Sequence, residues 1–266
     1  MDDALLNPAE TGLEVIDLRD DAEFASRRLH VRNAVTQMEG MRRLASAFVE
    51  RPETILQELV NAAVELCGAN SAGISVERED GSDDEFYKWV ATAGDYAGFL
   101  DAVLPRNPSA CGLCLERGAP QHFRVSKRFF DILGVEAPLV TDGILLPWQV
   151  GKTRGTIFIM AHGRCEAFDG NDLRMMQVLA DFAAMGVRQQ EQQQLVMERE
   201  CAAAAAAMAN DLAHKINNPL QSLTNILYIA AEGVDSGDTK ELGRQALESL
   251  DRLSMLVKRL LALPGS

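Results

Sequence analysis

The chain has 266 residues, 47% of them hydrophobic and 24% charged, which is enough for one or two folded domains. Its net charge of -13 argues against nucleic acid or an anionic membrane surface as the main partner. The sequence has no apolar run of about 18 residues, no signal peptide and five cysteines without framework spacing, so we expect a cytoplasmic protein without membrane insertion.

The N-terminal part of the chain predicts a leader followed by two helices. Residues 1–24 are polar and acidic with weak periodicity, which predicts a loose leader. In residues 23–50 apolar side chains recur at three- and four-residue steps, which predicts a helix that Arg51-Pro52 interrupts. Residues 52–67 predict a second helix with one apolar face, closed by Gly68.

The middle of the chain has the pattern of a mainly antiparallel sheet with short helices. Strands are predicted at 72–77, 86–92, 121–124, 141–150 and 156–162, and short helices at 109–116, which Ser109 would cap, and at 126–133. Trp148, Phe158 and Met160 alternate along strands, and we expect them in the core rather than in a pocket wall.

The residues Gly151-Lys152-Thr153 are similar to the end of a phosphate-binding loop. The leading glycine of that motif is missing, and strands rather than a helix flank the three residues. We therefore interpret them as a hairpin turn.

The C-terminal part predicts two long helices. The first starts near Asp169 or Asn171, either of which can cap it, and the second covers 239–263 after a turn at 233–238. Apolar residues of the second helix recur at spacings of four, three, four and three residues, as in the seam of a coiled coil: Ala246, Leu250, Leu253, Val257 and Leu260. Two such helices bury little surface alone, so we expect a homodimer in which two hairpins form a four-helix bundle.

His214 is predicted on the side of the first long helix that faces away from its apolar residues. At about 100° per residue, Ile216, Leu220 and Leu223 point roughly 180–240° away from it. Several amide side chains project within about 60° of His214 by the same geometry: Asn210, Asn217, Asn218, Gln221 and Asn225. A lone exposed histidine is usually only a surface residue, but the amide side chains around His214 favour a functional role for it.

The run from His214 to Asn218-Pro219-Leu220 resembles the phosphoacceptor segment of sensor histidine kinases. The resemblance covers residues 195–263 and implies that His214 accepts a phosphoryl group. A neutral imidazole nitrogen can act as such a nucleophile. The Asn218 amide would orient a water or a phosphoryl oxygen, and Pro219 would bend the helix. The implied partners are a response-regulator receiver domain and, as a phosphate source, a separate histidine kinase.

Two features depart from that family. Lys215 follows the histidine where the family usually has an acidic residue, and a protonated lysine cannot act as a base. No ATP-binding domain follows the hairpin before Ser266. We therefore expect no autophosphorylation from ATP, whether the natural protein lacks its own ATPase domain or these residues are a fragment of a longer kinase.

Residues 41–190 resemble a GAF sensor domain. The resemblance rests on the order of elements and on residues 108–112 (Pro-Ser-Ala-Cys-Gly) with 116–120 (Glu-Arg-Gly-Ala-Pro). It implies an α+β fold with a central antiparallel sheet, flanking helices and a pocket for a small-molecule ligand of unknown identity. Members bind cyclic nucleotides, haem or bilins, but we find no cysteine–histidine pair that would tether a bilin. The predicted domains are a leader at 1–24, a GAF-like domain at 25–190 and a phosphotransfer hairpin at 191–266.

Cys111 and Cys114 form a Cys-x-x-Cys at a predicted helix start, where the helix dipole would lower a thiol pKa. Together with His122 they are candidates for ligand binding or redox chemistry, and Cys67 and Cys165 could complete a metal site. The alternative is a pair of buried structural cysteines. There is no second Cys-x-x-Cys, so no metal site is predicted.

The sequence thus predicts a two-component signalling protein in which a GAF-like sensor controls phosphotransfer at His214. Two other functions stay open at this point. One is a dimeric binding module of the pseudokinase type, which docks a partner without phosphotransfer. The other is an enzyme that uses Cys111 and Cys114 on a small oxidised substrate.

Overall fold

The computed structural model describes residues 8–78, 86–231 and 238–261. The strands are β1 (Leu13–Asp17), β2 (Ser71–Glu77), β3 (Tyr87–Gly94), β4 (Val103–Leu104), β5 (Gln121–Val125), β6 (Val140–Val150) and β7 (Thr153–Ala161). The helices are α1 (Pro8–Thr11), α2 (Ala22–Ala25), α3 (Ala34–Glu50), α4 (Ile55–Cys67), α5 (Ala110–Arg117), α6 (Lys127–Leu133), α7 (Gly170–Ala231) and α8 (Asp238–Leu261). Short 3₁₀ turns cover Pro52–Thr54 and Ala97–Phe99.

All seven described strands join one sheet in the order β1-β5-β6-β7-β2-β3-β4, and every pairing is antiparallel. β6 and β7 form the central hairpin, in register from Asp142↔Ala161 to Val150↔Thr153. Gly151, with φ of +56°, supplies the left-handed turn between them, so the hairpin interpretation of this segment is confirmed. The predicted α+β class with a central antiparallel sheet and flanking helices is also confirmed.

Side chains of the central strands alternate between two cores on opposite faces of the sheet. In β7, Ile157 and Ile159 are buried in one core, while Phe158 and Met160 are buried in the other. This is the two-residue period that a strand imposes.

The first core lies under α3, α4 and the first turns of α7. α4 contributes its apolar stripe, spaced at three and four residues, to this core: Ile55, Leu56, Leu59, Val60 and Ala63. α4 ends at Gly68, whose φ of +61° closes the helix through a bond from its N–H to the Val64 carbonyl.

The second core lies under α5 and α6. Ser109 caps α5 as predicted, because its hydroxyl oxygen accepts a bond from the Gly112 N–H at 3.2 Å. α6 contributes Phe129 and Phe130, which are 7% and 8% exposed.

The prediction of a loose leader at residues 1–24 is wrong for its second half. β1 is an edge strand whose register with β5 runs from Leu13↔Val125 to Asp17↔Gln121, and Leu13 is 1% exposed. β1 buries only this one side chain. A strand of five residues with one buried side chain is too short to show a clear hydrophobic period, so the pairing with β5 decides its structure.

The helix predicted over 23–50 is divided. α2 ends at Ala25, and α3 begins at Ala34 after Asn33, whose side chain accepts a bond from the Val35 N–H. Arg27, between the two helices, turns inward and is 8% exposed.

The chain divides into two compact units, residues 1–192 and 193–266. In the second unit, α7 and α8 make an antiparallel contact in which the Ser249 hydroxyl donates to the Ser222 hydroxyl at 3.3 Å. α7 continues through Pro219, and the bend expected there stays a prediction. The turn predicted at 233–238 lies outside the described residues except for Asp238, where α8 begins.

None of the helices in the described part of the chain combines the length and the hydropathy that crossing a bilayer requires.

Candidate functional site

A cavity of about 430 Å³ lies in the second core, on the α5 and α6 side of the sheet. This volume falls within the range of small-molecule sites in proteins, roughly 300–1,000 Å³. Phe158 and Met160 of β7 line it, so the expectation that these two side chains only fill the core is wrong. Trp148 lies in the first core, as expected.

The cavity wall is uncharged: among the described residues that line it there is no Asp, Glu, Lys, Arg or His. Much of the surface is aromatic, with rings from Trp89, Tyr96, Phe99, Phe123, Phe129, Phe130 and Phe158. The Tyr96 hydroxyl donates to the Pro138 carbonyl at 2.7 Å, and burial raises the pKa of Tyr96. The buried Trp89 Nε1 has no hydrogen-bond partner within the described part of the chain.

Cys111 lines this cavity, and Cys114 is buried beside it without lining it. The Cys111 thiol is within hydrogen-bonding reach of the Thr156 hydroxyl at 3.3 Å and the Ser75 hydroxyl at 3.5 Å. Burial raises the pKa of both cysteine thiols, so the expectation that the helix start lowers them is wrong. Neutral buried thiols are poor nucleophiles and poor metal ligands, which favours the structural interpretation of the pair.

His122 lies away from the two cysteines, on the other face of β5 from Phe123, which lines the cavity. Its Nδ1 is 2.8 Å from an oxygen of Asp21, and its Nε2 is 2.7 Å from an oxygen of Asp142. Arg27 Nη1 donates to both oxygens of Asp142, at 3.1 and 2.9 Å. We call these four buried residues the Asp142 cluster: Asp21, Arg27, His122 and Asp142.

The hydrogen bonds within the Asp142 cluster lower the pKa of its two carboxyl groups. Burial alone would raise the pKa of Asp142, but hydrogen bonds from His122 and Arg27 outweigh it and hold that pKa below its ordinary value. The pKa of Asp21 is also lowered, because bonds from the Phe24 N–H and His122 outweigh its burial. Ionised carboxylates only accept hydrogen bonds. His122 and Arg27 lie between the two carboxylates as their buried hydrogen-bonding partners.

A second polar group lies at the start of α7, where His30, Asp169 and Asp172 have spacing compatible with a metal ion. Arg32 already supplies the positive charge, since its guanidinium binds Asp172 at 3.0 and 3.1 Å. Asp169 caps α7 by accepting the Asn171 N–H at 2.6 Å, which confirms one of the two predicted caps. These contacts account for the group as a structural ion-pair network.

His214 is exposed in the second unit, as are the amide-bearing residues predicted to surround it. Asn218 follows one turn later on α7, and Pro219 lies within the same helix. The Lys215 ammonium binds the Asp211 carboxylate at 2.7 Å, one turn before it. The three predicted catalytic residues are thus together on one helix, while Cys111, Cys114 and His122 do not form one site.

The fold and the cavity define a sensor domain built on an antiparallel sheet. The GAF domain family model matches residues 51–187, which is more than half of the chain. The chain therefore belongs to the GAF domain family. A search of curated proteins finds no match.

Several solved GAF domains are similar in fold. The second GAF domain of DevS from Mycobacterium smegmatis is 21% identical, with a TM-score of 0.43, and the match covers 55% of this chain and 99% of that one. A GAF domain from an Acinetobacter phosphoenolpyruvate-protein phosphotransferase is 12% identical, with a TM-score of 0.47 and coverage of 60% and 96%. A phycoerythrobilin-bound GAF domain from a cyanobacterial phytochrome is 13% identical, with a TM-score of 0.45 and coverage of 61% and 100%.

The sequence alone does not predict most of the cavity wall, and of the Asp142 cluster it indicates only His122, without its partners. The wall residues come from separate strands and helices, and each has the pattern of an ordinary core residue. Its contacts join Arg27 to His122, Asp21 to His122 and Arg27 to Asp142 across 95, 101 and 115 positions of the chain, while His122 and Asp142 are 20 positions apart. A usable signal exists in Asp142, which is the one charged residue in the mainly apolar strand β6.

Replacing Asp142 with Asn tests the cluster. The variant leaves Arg27 and His122 without their shared anion, so at pH 7 the free energy of unfolding should fall by about 3–5 kcal/mol. Both tryptophans, Trp89 and Trp148, lie in the first unit, so their fluorescence during urea unfolding reports on it. Asp181→Asn on the exposed side of α7 is the matched control, with an expected change within about 0.5 kcal/mol.

The same variant should change how stability depends on pH. Folding lowers the pKa of Asp142, so its contribution is present above the unfolded-state pKa of about 3.9 and is lost as the pH falls through the folded-state pKa. Wild type should therefore lose more stability than Asp142→Asn on acidification below about pH 3.9. Equal losses in the two proteins would contradict an ionised Asp142 in the cluster.

Proposed function

We propose that this GAF protein takes part in two-component signalling, with His214 exchanging a phosphoryl group with an aspartate of a response-regulator receiver domain. The observation that carries the proposal is the exposed His214 on α7, with exposed amides along the same side of the helix. Transfer between two proteins needs an acceptor that a partner surface can reach. A neutral imidazole supplies the nucleophile at physiological pH.

In the proposed transfer, an imidazole nitrogen attacks the phosphorus of the receiver's aspartyl phosphate. The N–P bond forms as the O–P bond breaks, and the aspartate leaves as a carboxylate. Such a transfer depends mainly on positioning and on stabilising charge on the phosphoryl oxygens. In this proposal Asn218, one turn after His214 on the same helix, donates a hydrogen bond to one of those oxygens. A separate histidine kinase is the other proposed source of phosphate.

The ion pair of Lys215 with Asp211 favours a second candidate function. Sensor histidine kinases usually have an acidic residue directly after the histidine, which can act as a base. Here Lys215 stands in that position, and the Asp211 carboxylate is bound to the Lys215 ammonium at 2.7 Å, so it is less available as a base. In this second candidate, the hairpin docks a signalling partner without phosphotransfer.

We also propose that the second unit forms a homodimer. Apolar side chains of both helices are exposed in a single chain, with exposed fractions of 45% for Leu220 and 66% for Leu227 on α7 and of 54% for Leu250 in the predicted seam of α8. Ile226 and Ser249 are already buried at 8% and 9%. A second hairpin would bury the remaining seam in a four-helix bundle. The cytoplasmic location stays a prediction.

Phosphotransfer is tested by incubating the full chain with a panel of receiver domains phosphorylated by acetyl phosphate. Wild type should acquire acid-labile phosphate that mass spectrometry places on His214, and His214→Gln should acquire none. Asn218→Ala should slow the transfer by about tenfold or more, because it removes a hydrogen bond to a charged group.

Gln193→Ala is the matched control, since it removes an exposed amide from the same helix about 30 Å before His214 and should leave the rate unchanged. Receiver binding by both wild type and His214→Gln, with no label on either and no loss of receiver phosphate, would replace the proposal with the docking function.

The homodimer is tested by placing a charge in the seam. Leu250→Glu should shift the sedimenting species from dimer to monomer, because a carboxylate in the bundle interior is costly to bury. Val31→Glu, at a position 101% exposed in the first unit, is the control and should leave the dimer intact. A wild-type chain that sediments as a monomer at micromolar concentration contradicts the proposed assembly.

A further inference from the structure

We infer that the cavity of the GAF domain binds an uncharged aromatic small molecule and excludes nucleotides and carboxylated tetrapyrroles. The inference deepens the proposed sensor function and rests on it only for the role of the ligand in signalling. The cavity wall itself carries the chemical argument.

The absence of charge from the described wall decides against anionic ligands. A phosphate or propionate group inside the cavity would lose its water without gaining a cationic partner, and burial of an unpaired charge is strongly unfavourable. Tyr96 and Ser109, two of the polar groups in the wall, already bond to the Pro138 carbonyl and the Gly112 N–H.

The arrangement of aromatic rings favours a flat, ring-containing ligand. Trp89 lies 5.0 Å from Phe158 and 6.3 Å from Phe99 between ring centroids, and Tyr96 stacks on Trp89 at 5.9 Å. These rings surround one side of the cavity, where stacked and edge-on contacts would each add to the gain from apolar burial.

The mouth of the cavity is mainly apolar as well. Four residues that line it are also exposed: three are apolar, with exposed fractions of 39% for Val103, 51% for Ile132 and 40% for Val135, and the fourth, Asn107, is polar but uncharged. Exposed apolar side chains at a cavity entrance provide an approach for an apolar ligand and offer no attraction to an ionic one.

The wall at this mouth is held in place. Residues 134–139 lead from α6 to β6, and the Pro138 carbonyl accepts the bond from the Tyr96 hydroxyl. His162 Nδ1 donates to the Leu139 carbonyl at 2.8 Å, while its Nε2 forms a hydrogen bond with the Ser71 hydroxyl at 2.8 Å. Two anchors on one short segment favour a preformed cavity, which lowers the ordering cost of binding.

Two fluorescent probes with the same ring skeleton test the inference on the full chain. N-phenyl-1-naphthylamine is neutral, and 1-anilinonaphthalene-8-sulfonate adds one sulfonate to it. The neutral probe should bind at one site per chain, and the sulfonate should bind at least about tenfold more weakly. Equal affinities, or tighter binding of the sulfonate, would overturn the inference.

Two variants locate the binding. Ala137→Trp fills part of the cavity and should weaken neutral-probe binding by about tenfold or more, with an unchanged circular dichroism spectrum. Ile132→Lys places a cation at the mouth and should strengthen sulfonate binding while weakening that of the neutral probe. If Ala137→Trp fails to fold, the change in affinity for the two probes in Ile132→Lys tests whether they bind in the cavity. Val178→Lys, 43% exposed on α7 and outside the cavity wall, is the matched control and should change neither affinity.

Neutral-probe binding that a folded Ala137→Trp leaves unchanged would overturn the inference, because the probe would then bind elsewhere. The His214→Gln variant should bind both probes like wild type. Probe binding without phosphotransfer would support the ligand class while contradicting the proposed phosphotransfer. Phosphotransfer without a preference for the neutral probe would support the proposed phosphotransfer and contradict the ligand class.

Discussion

The two-residue period of the central strands is the constraint on which the rest of the first unit depends. Ile157 and Ile159 face the core under α3, α4 and α7, while Phe158 and Met160 face the other side. Long helices fill the first side at close packing. The second side is covered by two short helices and connecting segments, which leave the cavity of about 430 Å³. The strand alternation therefore separates a structural face from a binding face.

Buried electrostatics connect the sheet to the start of α7. Asp142 on β6 accepts the Phe168 N–H at 3.1 Å, and Arg27 donates to the Phe168 carbonyl at 3.0 Å. Phe168 is fully buried and is followed by Asp169, which caps the helix. Within the first unit, the position of the first turn of α7 is thus tied to β6 by hydrogen bonds. The same helix carries His214 in the second unit, which gives the proposed signalling a covalent route.

Strong local patterns were sufficient to predict most elements of this fold. The stripe of α4, the Ser109 cap and the β6–β7 turn each depend on residues close in the chain, so sequence alone predicts them. β1 depends on a partner strand about 110 residues away, and its single buried leucine gives no periodic pattern. The cysteine pair shows a different limit, since burial by distant residues outweighs the local effect of the helix start on the thiol pKa.

The candidate sites also differ in whether local sequence or the tertiary fold brings their residues together. His214, Asn218 and Pro219 are neighbours on one helix, so helical geometry alone places them together. The cavity needs the tertiary fold, because its wall joins β3, β7, α6 and the segment before β6. The position of His122 in the sequence suggests a site shared with the cysteines, but strand alternation directs its side chain to the opposite face of the sheet. Its partners, Asp21 and Asp142, come from segments on either side of it in the chain.

Coupling between the cavity and His214 tests the account most directly. The rate of phosphoryl transfer from a phosphorylated receiver domain to His214 can be measured with and without saturating N-phenyl-1-naphthylamine. A ligand that binds one conformation of the sensor more tightly shifts the population of states, so the account predicts a changed rate in wild type and an unchanged rate in Ala137→Trp. Identical rates at saturation in wild type would contradict control of His214 by this cavity.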